Sequence, residues 1–362
     1  MPFLIFAYLR MNILFGFLFI RQVFSVTMKI LITGASGFIG SFLVEKGVEK
    51  GYEVWAGMRR GSSRRNITAE GVSFIELDLL SPADLRRRLS AFKAKHGAWD
   101  YVIHAAGVTK CADKNEFYEV NEGGTINLAE ALLLQGMAPK KFIYISSLSI
   151  YGPIREKEPF APITENDIPK PNTIYGKSKL AAERFIIGKS GIPFMILRPT
   201  GVYGPRERDY FKMVKSASLH FDFSAGYRPQ LITFIYVKDL VKAVYLALES
   251  PLVNRCYLVS EPQGYNSSSF SDYIASSLGK RFIIHIKAPL WLLRAVSFCC
   301  ERAAALVGRA STLNSDKYKI MKQRNWLCDT TAIEKELGFK ADYPLEKGVE
   351  EMIGWYKQNG RI

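Results

Sequence analysis

From Met28 onward, short apolar runs alternate with longer stretches of helical period, and this rhythm constrains the fold more than any other feature. "KILITG" reads as a strand and "FIGSFLVEKGVEKG" as a helix closed by Gly51. "YEVWAGMR" and "VSFIELDL" read as the next two strands. "SPADLRRRLSAFKAK" then opens as a helix should, with Ser81 at the cap and Pro82 at the first helical position. "DYVIHAAG", "KFIYISSLSIYG" and "PFMILRPTGVYGP" continue the strands, with helical stretches before the second and third of them. Such alternation predicts an α/β fold, a doubly wound parallel sheet with helices on both faces. After Gly204 the rhythm breaks, returns in "TFIYVKDLVKAVYLALES" and "RCYLVS", and gives way to a mainly helical remainder.

"TGASGFIG" sets Gly34, Gly37 and Gly40 between a strand and a helix. A plain turn would explain three glycines alone. In this context they have the form of a Rossmann unit. The first glycine turns the chain, the second lets a pyrophosphate touch the backbone, and the third lets helix and strand pack closely. The helix N-terminus then offers unpaired N–H groups and a partial positive charge to the phosphates. The expected organisation is a dinucleotide-binding Rossmann domain over 28–204 and 233–262, with a smaller substrate domain over 205–232 and 263–362.

The second strand of an NAD site tends to end in an acid that holds the ribose hydroxyls. Here it runs into "WAGMRRGSSRR", which has four arginines and no acid. A guanidinium pairs well with a 2′-phosphate. NADP is therefore favoured, with NAD as the alternative and a merely solvated arginine loop as the reading without a ligand. Asp78, after the third strand, is placed either for the adenine edge or for a turn.

"YGKSK" puts Tyr175 and Lys179 four residues apart, on one face of a helix. A phenol with a free pKa near 10 is a poor acid–base group at neutral pH. A lysine beside it, with a nicotinamide cation nearby, is expected to bring it down. Ser147, at the end of the fifth strand, is placed to hydrogen-bond a substrate oxygen while Tyr175 exchanges the proton.

With these residues in this order, the chain resembles the extended short-chain dehydrogenase/reductase family, also called the NAD-dependent epimerase/dehydratase family. The resemblance runs from about Lys29 to the C-terminus and rests on "TGASGFIG", "HAAG", "VNEGGTINL", "SSLSIYG", "YGKSK" and "RPTGVYGP". It implies a catalytic set of Ser147, Tyr175 and Lys179, with Ser149 a second candidate for the serine. Asn121 would set active-site water and backbone geometry. The cofactor would be lined by Gly34, Ser36, Gly37, Phe38, Ile39 and Gly40, by Arg59, Asp78 and Leu79, by Ala105, Ala106, Gly107 and Pro199, and by Tyr175 and Lys179. No metal site is implied.

Two departures from the family bear on the substrate. The sugar-nucleotide dehydratases that the chain resembles carry Thr-Asp-Glu where it has Ser147, Leu148 and Ser149, so the catalysts for eliminating water are missing. Sugar-nucleotide epimerases usually hold the diphosphate with an arginine at the position of Ile232; Arg206 or Arg228 would have to substitute. "PLWLLRAVSFCCERAAALVG" is strongly apolar and resembles the lid of the dihydroflavonol-reductase and 3β-hydroxysteroid-dehydrogenase branches, the alternative being a buried helix. The resulting expectation is an NAD(P)-dependent oxidoreductase acting between a secondary alcohol and a ketone. A nucleotide-sugar 4-epimerase and a non-catalytic redox sensor are its rivals.

Charge and cysteine usage bound the setting. The net charge of +15 is mostly dispersed, without a nucleic-acid-binding motif, so the expected partner is a small molecule rather than nucleic acid. Five cysteines without metal-ligand spacing read as reduced thiols of a cytoplasmic protein. The first 27 residues are almost wholly apolar but interrupted by Arg10 and Arg21. They read as an extension ahead of a true start at Met28, and membrane association is expected only if that extension belongs to the native protein. The run "INLAEALLL" carries more apolar side chains than the sheet needs. With the helix that bears Tyr175, it predicts a homodimer built on a four-helix interface.

Overall fold

A computed structural model describes residues 27–189, 191–306, 311 and 313–362. The apolar run before Thr27 lies outside them. In chain order, β1 (Lys29–Thr33), α1 (Phe38–Glu49), β2 (Glu53–Met58), β3 (Ser73–Glu76), α2 (Pro82–His96) and β4 (Tyr101–His104) open the fold. Next come α3 (Asn115–Phe117), a π-helical turn (Tyr118–Gly123), α4 (Gly124–Leu134), β5 (Lys141–Ile145), α5 (Ile174–Lys189), β6 (Phe194–Pro199) and β7 (Gly201–Tyr203). They are followed by α6 (Asp209–Ser218), β8 (Phe221–Ala225), β9 (Phe234–Tyr236), α7 (Val237–Glu249), β10 (Arg255–Val259) and α8 (Ser269–Ser277). The chain closes with β11 (Ile284–Ala288), α9 (Leu290–Leu306), α10 (Ser315–Lys322), α11 (Thr331–Leu337) and α12 (Leu345–Gln358).

Seven strands form one parallel sheet in the order β10-β6-β5-β4-β1-β2-β3. Strand side chains alternate between faces, and β1 shows what this achieves. Ile30 and Ile32 enter a core with Leu43 and Val44 of α1 and Leu240 and Val244 of α7. Leu31, between them, enters the opposite core with Leu85 and Leu89 of α2, Leu128 and Leu132 of α4, and Ile186 of α5. The connections from β1 and β4 therefore leave for opposite faces, and a crevice opens at the strands' carboxyl ends between them. That is where ligands sit in open α/β sheets.

From Tyr203 onward the chain builds a third core, rich in aromatic residues: Tyr203, Phe234, Tyr236, Phe270 and Tyr356 are all buried in it. Sequence rhythm missed two elements here. β8 and β11, a two-stranded parallel pair, are short, and each abuts a helix, so no alternation over several strands marks them.

Two further expectations change. Of the apolar residues in "INLAEALLL", Leu128 and Leu132 are fully buried, because α4 packs against α2 as well as the sheet. Only Leu133 and Leu134 remain as exposed apolar residues of that run. The segment read as a lid, or alternatively as a buried helix, is not buried. Among the described side chains of α9, Leu293 and Ser297 are buried and most of the rest are exposed.

Candidate active site

The glycine turn is built by steric need. Gly34 has φ +69°, and a Cβ there would lie 2.7 Å from the Ala106 backbone at the end of β4. A side chain at Gly40 would run into the Gly34 carbonyl. Gly37 caps α1 with extended backbone and no side-chain cap, so the first N–H groups of the helix are left for a ligand. These features fit a dinucleotide pyrophosphate: a backbone that touches backbone, and a bare helix N-terminus beside it.

Around this turn lies a cleft of about 520 Å³. Its walls contain every residue expected to line the cofactor: Gly34, Ser36, Gly37, Phe38, Ile39, Gly40, Arg59, Asp78, Leu79, Ala105, Ala106, Gly107, Tyr175, Lys179 and Pro199. Asp78 forms a turn, its Oδ1 accepting from the Leu80 N–H at 3.0 Å, and also borders the cleft. Arg59 continues into a shallower hollow with Arg60, Ser62 and the acids Glu76, Asp78 and Asp84. Arg64 instead stacks on Phe74 at 4.0 Å.

Ser147, Tyr175 and Lys179 border the same cleft, and Ser149 does not. Ser147 Oγ accepts from the Ser149 N–H at 3.1 Å, which fixes the serine at the start of a tight turn. The glycine of "YGKSK" explains the proximity of that turn to α5, because a Cβ on Gly176 would collide with the Ser149 carbonyl. The helix is anchored on its far side by a buried ion pair between Glu183 and Arg198 of β6, 2.7 Å apart, with Tyr151 on the guanidinium at 2.8 Å.

Burial dominates the electrostatics. It pushes Tyr175 up to about 12, opposed by a hydrogen bond from Ser147. It also pulls Lys179 down to about 8, opposed by Glu183. Lys179 Nζ donates to the Ile145 carbonyl at 2.7 Å and lies 4.7 Å from the Tyr144 ring. Burial, and not Lys179, leads the shift of Tyr175, and the Lys179 ammonium is held by the strand. Burial thus keeps Tyr175 a neutral phenol.

Asn121 is absent from the cleft walls. The π turn directs it inward, where it is fully buried. Its Oδ1 accepts from the Val108 N–H at 2.8 Å, and its Nδ2 donates to the Val108 carbonyl and to Ser178 Oγ. It thus clamps the loop after β4 to α5. Gly107 makes room for it, since a Cβ there would lie 2.9 Å from Asn121 Oδ1 and 3.4 Å from Lys179 Nζ.

Sequence reading passed over Thr33, Val108, Thr109, Thr200 and Glu207, all of which border the cleft. Only the first carried a signal, as the last residue of the strand before the glycines. It also missed the role of the histidine in "HAAG". His104 is fully buried between Thr33 Oγ1 at 2.7 Å and Thr125 Oγ1 at 3.0 Å.

A model of the NAD dependent epimerase/dehydratase family matches residues 30–259. The chain belongs to that family. Among its relatives, the short-chain dehydrogenase/reductase family 42E member 1 of Macaca fascicularis is 26% identical over 360 residues, covering 91% of this chain and 88% of the relative. The UDP-glucose 4-epimerase of Vibrio cholerae is 25% identical over 339 residues, covering 89% and 94%. Two solved structures share the fold. One is a UDP-glucose 4-epimerase with UDP-glucose from Thermotoga maritima, with a TM-score of 0.73 and 23% identity over 92% of this chain and 99% of that one. The other is the Bordetella bronchiseptica enzyme WbmG in complex with NAD and UDP, with a TM-score of 0.72 and 23% identity over 92% and 96%. This epimerase/dehydratase-family protein is an NAD-dependent oxidoreductase/epimerase of the extended short-chain dehydrogenase type.

His104 makes the family site sensitive to acid. Burial, with Lys179 adding to it, lowers its pKa from 6.5 to about 3. The unfolded chain takes up this proton below about pH 6.5, and the folded chain refuses it until about pH 3. Stability therefore falls as pH drops across that window, by about 1.4 kcal/mol per pH unit from this group. Urea unfolding of wild type and His104→Gln reads this directly. The variant should lose that component of the slope, and equal slopes would show that His104 does not carry it.

Proposed function

We propose that this enzyme interconverts a secondary alcohol and a ketone, with Tyr175 as the group that moves the proton. The observation that carries the reading is the meeting of Ser147, Tyr175 and Lys179 in the dinucleotide cleft, with Ile232 where a diphosphate-gripping arginine would stand. Hydride exchange with the substrate carbon is the chemistry that a bound dinucleotide supplies here. Ser147 hydrogen-bonds the substrate oxygen and Tyr175 gives it a proton during reduction. Lys179, fixed by the Ile145 carbonyl, holds a positive charge beside the phenol as its proton leaves. Asn121 positions the loop and α5 around them.

Ile232 supports an uncharged substrate. Its backbone exchanges both hydrogen bonds with Tyr265, at 2.8 Å each, and its side chain packs on the aromatic core. Arg206, one proposed substitute, is taken up by Glu45, Ser41 and the Phe42 ring on α1. These features favour the dihydroflavonol-reductase and 3β-hydroxysteroid-dehydrogenase-like branch. The second reading, a nucleotide-sugar 4-epimerase, draws support from the Vibrio cholerae relative, which matches over 94% of its length.

In this reading 28–204 and 233–262 carry the cofactor, and 205–232 and 263–362 carry the substrate. The protein is a cytoplasmic enzyme with five free thiols. It is a homodimer through the exposed Leu133, Leu134 and Ile187 of α4 and α5. NADP is the preferred cofactor, supported by Arg59, Arg60 and Ser62 beyond the end of β2.

Tyr175→Phe should lower turnover by about a hundredfold or more while NADPH affinity stays within about twofold, since only the proton donor is removed. Near-full activity would remove Tyr175 from the mechanism. Arg59→Ala with Arg60→Ala should weaken NADPH binding about tenfold or more and NADH binding far less, because only NADPH has a 2′-phosphate to lose. Equal losses in fluorescence titrations would return the preference to NAD.

A further inference from the structure

β8 and β11 pair in parallel with Phe221 beside Ile284, Asp222 beside His285, and Phe223 beside Ile286. Alternate residues face opposite sides, so this small sheet has one polar and one apolar face. The polar face has partners: Asp222 accepts from Ser271 of α8 at 2.5 Å, and His285 lies 2.9 Å from Asp222 and 3.1 Å from Asp272. The apolar face is bare, with Phe223 60% exposed and Phe221, Ile284 and Ile286 also exposed.

α9 follows after Pro289 and extends the exposure. Leu290 packs beside Gly226, just past the end of β8, and the helix is fastened by Leu293, Ser297 and a Glu301–Lys114 ion pair of 2.8 Å. Its remaining circumference presents Trp291, 72% exposed, Phe298, 54% exposed, and Leu306, 89% exposed, together with Leu292 and Val296. None of its described residues borders the dinucleotide cleft. So many exposed aromatic and aliphatic side chains on consecutive elements mark a place of contact.

Charge identifies what it meets. The segments 219–228 and 281–306 carry the exposed bases Arg228, Arg281, Arg294 and Arg302, while Lys287 lies with His285 on the other side of the small sheet. Their two acids, Asp222 and Glu301, are already occupied, the latter by Lys114 and Ser315. A second copy across a two-fold axis would bring these bases against their own equivalents. The apolar run before Thr27 has Arg10, Arg21 and no acid, so it offers no complement either. An anionic lipid surface does: aromatic and aliphatic groups enter the headgroup boundary, and arginine and lysine stems reach the phosphates. The mode is interfacial, because no helix among the described residues is long and apolar enough to cross a membrane.

We propose that the face made by β8, β11 and α9 docks the enzyme onto an anionic lipid bilayer. It does not depend on the substrate reading, as the surface lies apart from the cleft. The test is co-sedimentation of the full chain with phosphatidylcholine vesicles, with and without phosphatidylserine. Wild type should pellet with the phosphatidylserine vesicles. Trp291→Ser with Phe298→Ser should lower its partition at least about tenfold, and Arg281→Glu with Arg294→Glu should abolish the preference for phosphatidylserine. All four positions are exposed, and unchanged NADPH binding serves as the check on folding. Wild type left in the supernatant would overturn the proposal. So would undiminished pelleting of the Trp291/Phe298 variant, which would assign binding to another part of the chain. A dimer that becomes a monomer in that variant would assign the face to a second copy and overturn it too.

Discussion

The site depends on one contact between backbones. At the end of β1, Gly34 lies against the chain leaving β4 so closely that a single methyl group at Gly34 would force them apart. These are the two strands whose connections leave for opposite faces, so the contact forms the floor of the crevice. It also sets where α1 begins, and hence where the uncapped N–H groups of that helix are presented. The loop after β4 is then tied by Asn121 to the helix that carries Tyr175 and Lys179. One steric constraint thus brings the phosphate end and the chemical end of the cleft into register.

A second constraint is the cost of burying charge. Tyr175, Lys179 and His104 lie within the protein, where their charged forms are disfavoured. The Ile145 carbonyl holds Lys179 and two threonines hold His104, while Ser147 opposes the effect of burial on Tyr175. The result is a neutral phenol beside a fixed ammonium. That arrangement suits protonation of an oxygen without large rearrangement of the protein.

The half of the chain that forms the large sheet was legible, because its strands and helices alternate with clear periods and its glycines fall at the junctions. "YGKSK" was legible for a related reason: helical spacing alone puts Tyr175 and Lys179 on one face. What escaped depends on contacts that no local pattern records. The π turn that directs Asn121 inward, the bare face of β8 and β11, and the exposure of α9 follow from what packs nearby. The same holds for Tyr175, whose protonation is governed by desolvation rather than by the lysine four residues along. An apolar helix such as α9 reads equally as a lid or as a buried helix, and only its surroundings show that most of it faces outward.

The proposal that most needs a test is that the cleft serves an uncharged carbonyl substrate. Ile232 packs without charge against an aromatic core, and Arg206 already pairs with Glu45 on α1, so neither favours a diphosphate. Calorimetric titration of the NADPH-loaded enzyme with UDP and with several UDP-sugars tests this most directly. The account predicts binding no tighter than about millimolar, since a diphosphate desolvated without a well-aimed cation gains little. Binding at about micromolar affinity, with Arg228 or another base on the phosphates, would contradict it and make the enzyme a nucleotide-sugar epimerase.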